Sequence, residues 1–293
     1  MLLKKDFETL KAENKEFKRK TRSEQAAAAS AAASGIVVEE SKEEEKIDVY
    51  DLSAPKEILS NFGPAWCTEV LAFKKWGDKK AALDKVIAEA DTPKLAAGNY
   101  AGLADTLKKL AADPHATVAQ YAIRSIGILA KGLRKDFHDH AIPLVPVIFA
   151  KFKEKRLGPE IQTALESIMM CIELGEIMET LGAVKAEKLA LIQQQIMVFT
   201  ERAIRTTYID HLEEIAEAIA GIAVSLSENK DTALRDQALV VLGVLLARVP
   251  DRVQSFVDPL IEAKKTKINS AKGTVEPSKY DKSEKKEAAA KKK

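Results

Sequence analysis

The side chains in this chain best suited to chemistry are four histidines, two cysteines and many carboxylates, and their spacing does not bring them to a common task. His115, His138, His140 and His211 fall outside any HExxH pattern, and none stands beside a cysteine at ligand spacing, so no metal site is expected. His138 and His140 are two residues apart and would diverge on a helix. Cys67 and Cys171 lie in expected helices and form no CxxC pair, which argues against a disulfide framework or a zinc site and suits a reducing cytosol. The sequence has no GxxxxGK[ST], GxGxxG or GxSxG run, hence no phosphate cradle, no nucleophile elbow and no expected cofactor. The carboxylates read as solvated helix faces. The chain therefore reads as a binding protein and not as an enzyme.

What remains is the chemistry of recognition, concentrated in short turns between helices. The first turn, AFKKWGDKKAAL, places Trp76 beside Lys74, Lys75, Lys79 and Lys80. Trp76 either folds back to cap the first helix pair or serves as an apolar anchor ringed by charge. The third turn, FKEKRLGPEIQ, puts Lys153, Lys155 and Arg156 ahead of Gly158 and Pro159. The fifth, SENKDTALRDQAL, has Lys230 and Arg235 flanking a helix start. An arginine there opposes the helix dipole, so an aspartate neighbour within the fold or a partner must favour it. If turns of this kind stack along one edge, they form a basic strip that ends in an aromatic and suits an acidic protein surface. Such recognition has to be local, because Lys plus Arg at 46 nearly balances Asp plus Glu at 44.

The elements that must carry these turns are helices. From Ile47 to about Lys264 the sequence is dense in Leu, Ile, Val and Ala at helical spacing, with expected helices of about 10 to 18 residues and connections of a few residues. Leu234, Ala238, Val241 and Leu245 form one stripe, and Ile192, Ile196, Phe199 and Ala203 form another. Thr117 with Gln120 reads as a capping box, and Asp231 as a second helix start. No strand is expected. Val118, Ala122, Ile126, Gly127 and Leu129 hold the same relative places as Leu234, Ala238, Leu242, Gly243 and Leu245, the signature of the second helix in a HEAT unit. Aligning the helices one step after the leading apolar residue puts Lys79, Ala119, Gln193 and Arg235 in register, with a unit of about 40 residues. The expected fold is an all-α HEAT-type solenoid.

The flanks differ in composition. Residues 1–46 are charged, Ala/Ser-rich and acidic from Glu39 to Glu45, and read as an unstructured linker, although Leu3, Phe7, Leu10, Asn14 and Phe17 trace a short coiled-coil seam. Residues 265–293 are Lys-rich and nearly free of apolar side chains, and are expected to be mobile. The first twenty residues lack the apolar core of a signal peptide, and no run of about 18 apolar residues spans a bilayer, so a soluble intracellular protein with no membrane partner is expected.

Three segments, FKKWGDKKAALDKV, IGILAKGLRKDF and FKEKRLGPEIQTALESI, resemble in order and spacing the TOG domains of microtubule polymerases and related regulators. The resemblance covers about Ile47 to Lys264. It implies a flat paddle of six HEAT repeats that binds the αβ-tubulin heterodimer and microtubule ends through the turn-bearing edge, without catalysis, in the cytoplasm at microtubules, spindle poles or the centrosome. Partners that recruit the protein there are also implied. On this resemblance Trp76 matches the tryptophan that inserts at tubulin, and Lys79 or Lys80 the basic residue beside it. Val118 matches the apolar residue of the second turn, Lys155 and Arg156 the basic third turn, and Arg235 the fifth-turn arginine. Gln193 stands where the fourth turn usually has a lysine. One alternative is a HEAT scaffold for another acidic protein. A weaker one is nonspecific nucleic-acid binding through the Lys-rich tail, which lacks interleaved aromatics apart from Tyr280.

Overall fold

The computed structural model describes residues 48–283. The chain divides into two compact units, residues 1–46 and 47–293, and every described residue belongs to the second. The expected linker with its coiled-coil seam, and residues 284–293 of the expected tail, lie outside the described residues.

Apolar stripes at helical spacing dictate the architecture, because a helix buries such a stripe only against a neighbour. After a short α1 (Val49–Leu52), the helices follow one another along the chain as six successive pairs. They are α2 (Pro64–Ala72) with α3 (Trp76–Ala90), and α4 (Ala101–Ala111) with α5 (Ala116–Leu133). The third pair joins a broken helix, comprising α6 (His138–Ala141) and α7 (Val145–Ala150), to α8 (Gly158–Ile168). The fourth joins residues 174–186, which contain α9 (Met178–Gly182), to α10 (Ala190–Thr206). The last two are α11 (Ile209–Leu226) with α12 (Thr232–Arg248), and α13 (Pro250–Val257) with α14 (Glu262–Lys272). The second helices form one layer, in which α3, α5, α8, α10, α12 and α14 each pack on the next, and the first helices form the other. Among the described residues the only β pairing is a bridge between Lys56 and Leu95.

Both stripes read from the sequence are buried, Leu234, Ala238, Val241 and Leu245 completely, and Ile192, Ile196, Phe199 and Ala203 nearly so. The matched glycines share one purpose. A Cβ on Gly127 would lie 3.0 Å from the Cα of Ala164, and one on Gly243 would lie 2.5 Å from the carbonyl oxygen of Ile268. Each glycine thus lets its helix approach the next second helix to backbone contact, α5 against α8 and α12 against α14.

The structure corrects several expectations. The first helices of pairs three and four are shorter than 10 residues. Pro143 and Pro146 each remove a backbone donor, and the segment from His138 to Lys153 becomes short α-turns joined by 3-10 turns. The Thr117/Gln120 capping box is not used: α5 begins at Ala116 with His115 as its N-cap. Asp231 does cap α12, accepting from the Leu234 N–H at 2.9 Å. Cys171 sits in the turn after α8, where burial pushes its thiol up to about 12 and its Sγ faces the Ala130 carbonyl oxygen at 3.2 Å.

The expected mobile tail from Lys265 is also corrected. Ile268 is fully buried, and α14 is held by ion pairs of Lys264 with Glu228 and of Lys267 with Asp236. Its single narrow apolar stripe suffices because Gly243 lets α12 come so near. Beyond α14 the chain folds back across the ends of α10 and α12. The guanidinium of Arg248, whose side chain is 2% exposed, donates to the carbonyl oxygens of Ile204, Thr207 and Tyr280 and to Asp281 Oδ1. Tyr280 packs edge-on against Tyr208 at 5.2 Å.

One ion pair links the broken first helices of pairs three and four. His138 Nδ1 faces Asp139 Oδ1 at 2.8 Å and Nε2 faces Glu176 Oε1 at 2.7 Å, an arrangement only the doubly protonated ring satisfies. Hydrogen bonds to Asp139 and then Glu176 raise His138 above its ordinary 6.5. Burial works to raise Glu176, but the Glu173 N–H and His138 outweigh it and hold the carboxyl below 4.5. The stabilisation from His138 is fully present below 6.5 and is lost as pH rises through its raised value. That from Glu176 is present above 4.5 and is lost as pH falls. Thermal melts at pH 5.5 and 8 should therefore show a smaller gain on acidification for Glu176→Gln than for the parent protein. Identical gains in the two proteins would contradict this assignment.

Candidate protein-binding edge

Because the six second helices run side by side in the same direction, their N-termini and the turns that precede them lie along one edge. Contacts between successive turns bear this out. Lys79 on α3 donates to Asp113 Oδ2 at 2.7 Å, and the Asp113 Oδ1 accepts the His115 N–H at 2.8 Å. The Asp113 carbonyl oxygen accepts Lys151 Nζ at 2.5 Å. One residue of the second turn thus joins the first, second and third. Burial alone would raise the Asp113 carboxyl, but Lys79 and the His115 N–H overcome it and leave it below 3.8. Lys151 is nearly buried, and burial lowers its ammonium below the usual lysine value. At the far end Lys264 on α14 reaches Glu228 and Ser227 of the fifth turn.

Trp76 opens α3 and is 50% exposed, with its indole stacked on the His115 imidazole at 4.6 Å and an interplanar angle of 7°. Both readings of this residue therefore hold in part. One face of the ring rests on the second turn, which fixes its rotamer, and the rest is presented to solvent. Beside it Lys74 and Lys75 are exposed and have no ion pair among the described residues. Along the same edge Lys153, Lys155 and Arg156 are exposed and likewise unpaired among the described residues.

The other residues singled out from the sequence are spent within the fold. Lys79 is bound to Asp113. Lys80 pairs with Asp84 at 2.7 Å and lies over the Tyr121 ring at 4.3 Å, and these two neighbours raise its pKa above 10.5. Val118 has no exposed surface, so it supports the second turn from beneath and is not an apolar contact on the edge. Gln193 is 4% exposed and donates to the Val184 carbonyl oxygen at 3.0 Å, so it closes the fourth turn from inside. Arg235 resolves its conflict with the helix dipole without an aspartate. Its Nη1 donates to the carbonyl oxygens of Asn229 and Lys230 at 3.1 and 3.0 Å, and its Nη2 to Thr232 Oγ1 at 3.2 Å. It remains partly exposed at the rim of the fifth turn.

Sequence reasoning missed one edge residue. Leu189 is the N-cap of α10 and is 51% exposed in the fourth turn. The available signal was an apolar residue at a helix start where Ser, Asp or Asn is favoured. Between α8 and α10 lies a cleft of about 630 Å³, with Phe152, Lys155, Gln162, Leu191 and Val198 among its lining residues.

No family model matches the sequence. The chain is 30% identical over 234 residues to "Centrosomal protein 224" of Dictyostelium discoideum, covering 77% of this chain and 12% of that protein. It is 31% identical over 233 residues to "Protein mini spindles" of Drosophila melanogaster, covering 75% of this chain and 11% of that protein. The chain thus spans about an eighth or less of these relatives' length. Among solved structures it is similar to a chain described under "Structural Basis of Microtubule Plus End Tracking by XMAP215, CLIP-170 and EB1". The TM-score is 0.72 and the identity 26%, over 77% of this chain and 96% of that one. It shares the fold of a chain described under "Structural Basis of Tubulin Recruitment and Assembly by Microtubule Polymerases with Tumor Overexpressed Gene (TOG) Domain Arrays", with TM-score 0.71 and identity 19%, over 78% of this chain and 49% of that one.

The Asp113 junction predicts its own test. Asp113→Ala removes the acceptor for Lys79 and for the His115 N–H, and should cost about 1–2 kcal/mol, a fall in Tm of about 3–8 °C at neutral pH. The difference should shrink as the pH falls through the depressed pKa of Asp113. An unchanged Tm at neutral pH would remove Asp113 as the junction of the three turns.

Proposed function

Proceeding from the membership of this chain in the TOG-domain family of microtubule polymerases, we propose that its turn-bearing edge binds the αβ-tubulin heterodimer, without catalysing a reaction, and so regulates microtubule dynamics. The observation that carries this reading is Trp76. A large aromatic held on His115, half exposed and flanked by lysines that have no ion pair among the described residues, has the composition of an interface hot spot. The cations Lys74, Lys75, Lys155 and Arg156, which have no ion pair among the described residues, extend from it along the same edge and suit the acidic surface of tubulin. Lys79, Lys80 and Arg235 then act mainly by shaping the turns, with their exposed fractions adding to the positive potential.

In this reading the site takes no cofactor, and its action is to hold a partner. The relatives' names place them at centrosomes and spindles, which supports the same cytoskeletal setting for this chain. Where several such domains share one molecule, tethering raises the local tubulin concentration at a growing end. Lys264 and Lys267 are engaged by Glu228 and Asp236, so the described part of the C-terminal segment is not a free polybasic strand.

The test is binding of the full chain to soluble αβ-tubulin by calorimetry or co-elution. Trp76→Ala should weaken binding about thirty-fold or more, with an unchanged helical circular dichroism spectrum. Lys155→Glu with Arg156→Glu should lower affinity and flatten its dependence on salt. If the parent chain shows no association at micromolar concentrations, the proposal fails. If it binds equally well with Trp76→Ala, the site lies elsewhere.

A further inference from the structure

Three buried side-chain polar atoms among the described residues have no hydrogen-bond partner: His115 Nδ1, Arg134 Nε and Gln162 Oε1. The first two belong to partly exposed side chains engaged elsewhere, His115 against Trp76 and Arg134 with Asp48 and the Tyr50 ring. Gln162 differs from them, because it is only 4% exposed and stands in the wall of the cleft of about 630 Å³ between α8 and α10. Its Nε2 donates to the Gln195 carbonyl oxygen at 2.9 Å and meets Gln195 Oε1 only at 3.5 Å, the outer limit of a hydrogen bond. The amide is thus fixed through its nitrogen, while its oxygen is desolvated without a donor to compensate.

The rest of the cleft defines the donor that fits. From α10 it is lined by Leu191, Gln194, Gln195, Val198 and Arg202, one face of the helix. At about 1.5 Å per residue that stripe runs roughly 16 Å, the span of about five extended residues. The primary amides of Gln162, Gln194 and Gln195 each pair a donor with an acceptor, as a peptide unit does. Leu191 and Val198 add an apolar strip for a side chain. Free charge lies at one end. Lys155, nearest the turns, has no ion pair among the described residues, whereas Arg202 at the other end is held by Glu166 at 2.7 Å.

We propose that this cleft binds a short extended peptide segment of about five residues, with a backbone N–H on Gln162 Oε1 and an acidic side chain against Lys155. The Gln195 side chain is partly exposed and only weakly engaged, so it moves aside to admit the donor. The site lies away from Trp76 and does not depend on the tubulin-binding reading. Lys155 belongs to both surfaces, so peptide and tubulin compete for that one side chain.

The probe is a display library of random linear hexapeptides selected on the full chain, with enriched sequences then synthesised and titrated by calorimetry. Enriched peptides should carry Asp or Glu. Their affinity should fall about ten-fold or more with Gln162→Leu, which removes the acceptor, and with Val198→Arg, which fills the cleft, and should be unchanged with Trp76→Ala. Circular dichroism melts establish that each variant is folded. Because Val198 is partly exposed, its variant keeps the test decisive if loss of the Gln162 bond to Gln195 unfolds the other. Peptides that bind the Gln162 and Val198 variants as tightly as the parent would overturn the inference. So would peptides whose binding is lost with Trp76→Ala, or a selection that enriches no peptide.

Discussion

The structure depends on an apolar seam that no helix pair can close alone. Each second helix buries its stripe against the next one in the layer, and at two places the seam is drawn to backbone contact by a glycine, Gly127 against Ala164 and Gly243 against Ile268. That constraint fixes the second helices side by side and brings their N-termini to one edge. The edge is therefore a product of core packing, and its residues are positioned by elements that have no freedom to move independently. Polar contacts then set the finer geometry: Asp113 joins three consecutive turns, and Arg248 secures the chain beyond α14.

From this follows a division of labour among the basic residues. Charges that sit one turn inside a helix, such as Lys79 and Lys80, find carboxylate partners within the fold, and Arg235 finds loop carbonyls. Charges in the turns themselves, such as Lys74, Lys75, Lys155 and Arg156, have no ion pair among the described residues. An exposed pair contributes little to stability, so leaving these lysines unpaired costs the domain little while giving the edge its potential. Trp76 is the large aromatic on this edge that keeps half of its surface in water, while His115 holds the ring.

The layered fold was legible because burial in a stack imposes the 3.6-residue period so strictly. Leu234, Ala238, Val241 and Leu245 could be read as a core stripe from spacing alone, and the recurrence of Gly127 and Gly243 announced the close approaches. The edge was less legible. Register placed Lys79, Ala119, Gln193 and Arg235 as equivalents, but that position lies at the boundary between core and solvent. Small differences in the preceding turn decide which side chain surfaces, so Gln193 is buried and Arg235 is not. Val118 was read as a surface contact although its own stripe marked it as core. Low apolar content hid α14, because a helix packed against a glycine needs only a narrow stripe around Ile268. Leu189 carries only a weak signal in the sequence, an apolar residue at a helix cap.

The central claim, that one edge of the stack is the tubulin-binding surface, is tested most directly by amide hydrogen exchange of the full chain with and without αβ-tubulin. The account predicts added protection in the turns around residues 74–80, 153–158 and 185–191, with the opposite edge, including Met170, unchanged. Protection confined to that opposite edge, or to the outer faces of the helix layers, would contradict it.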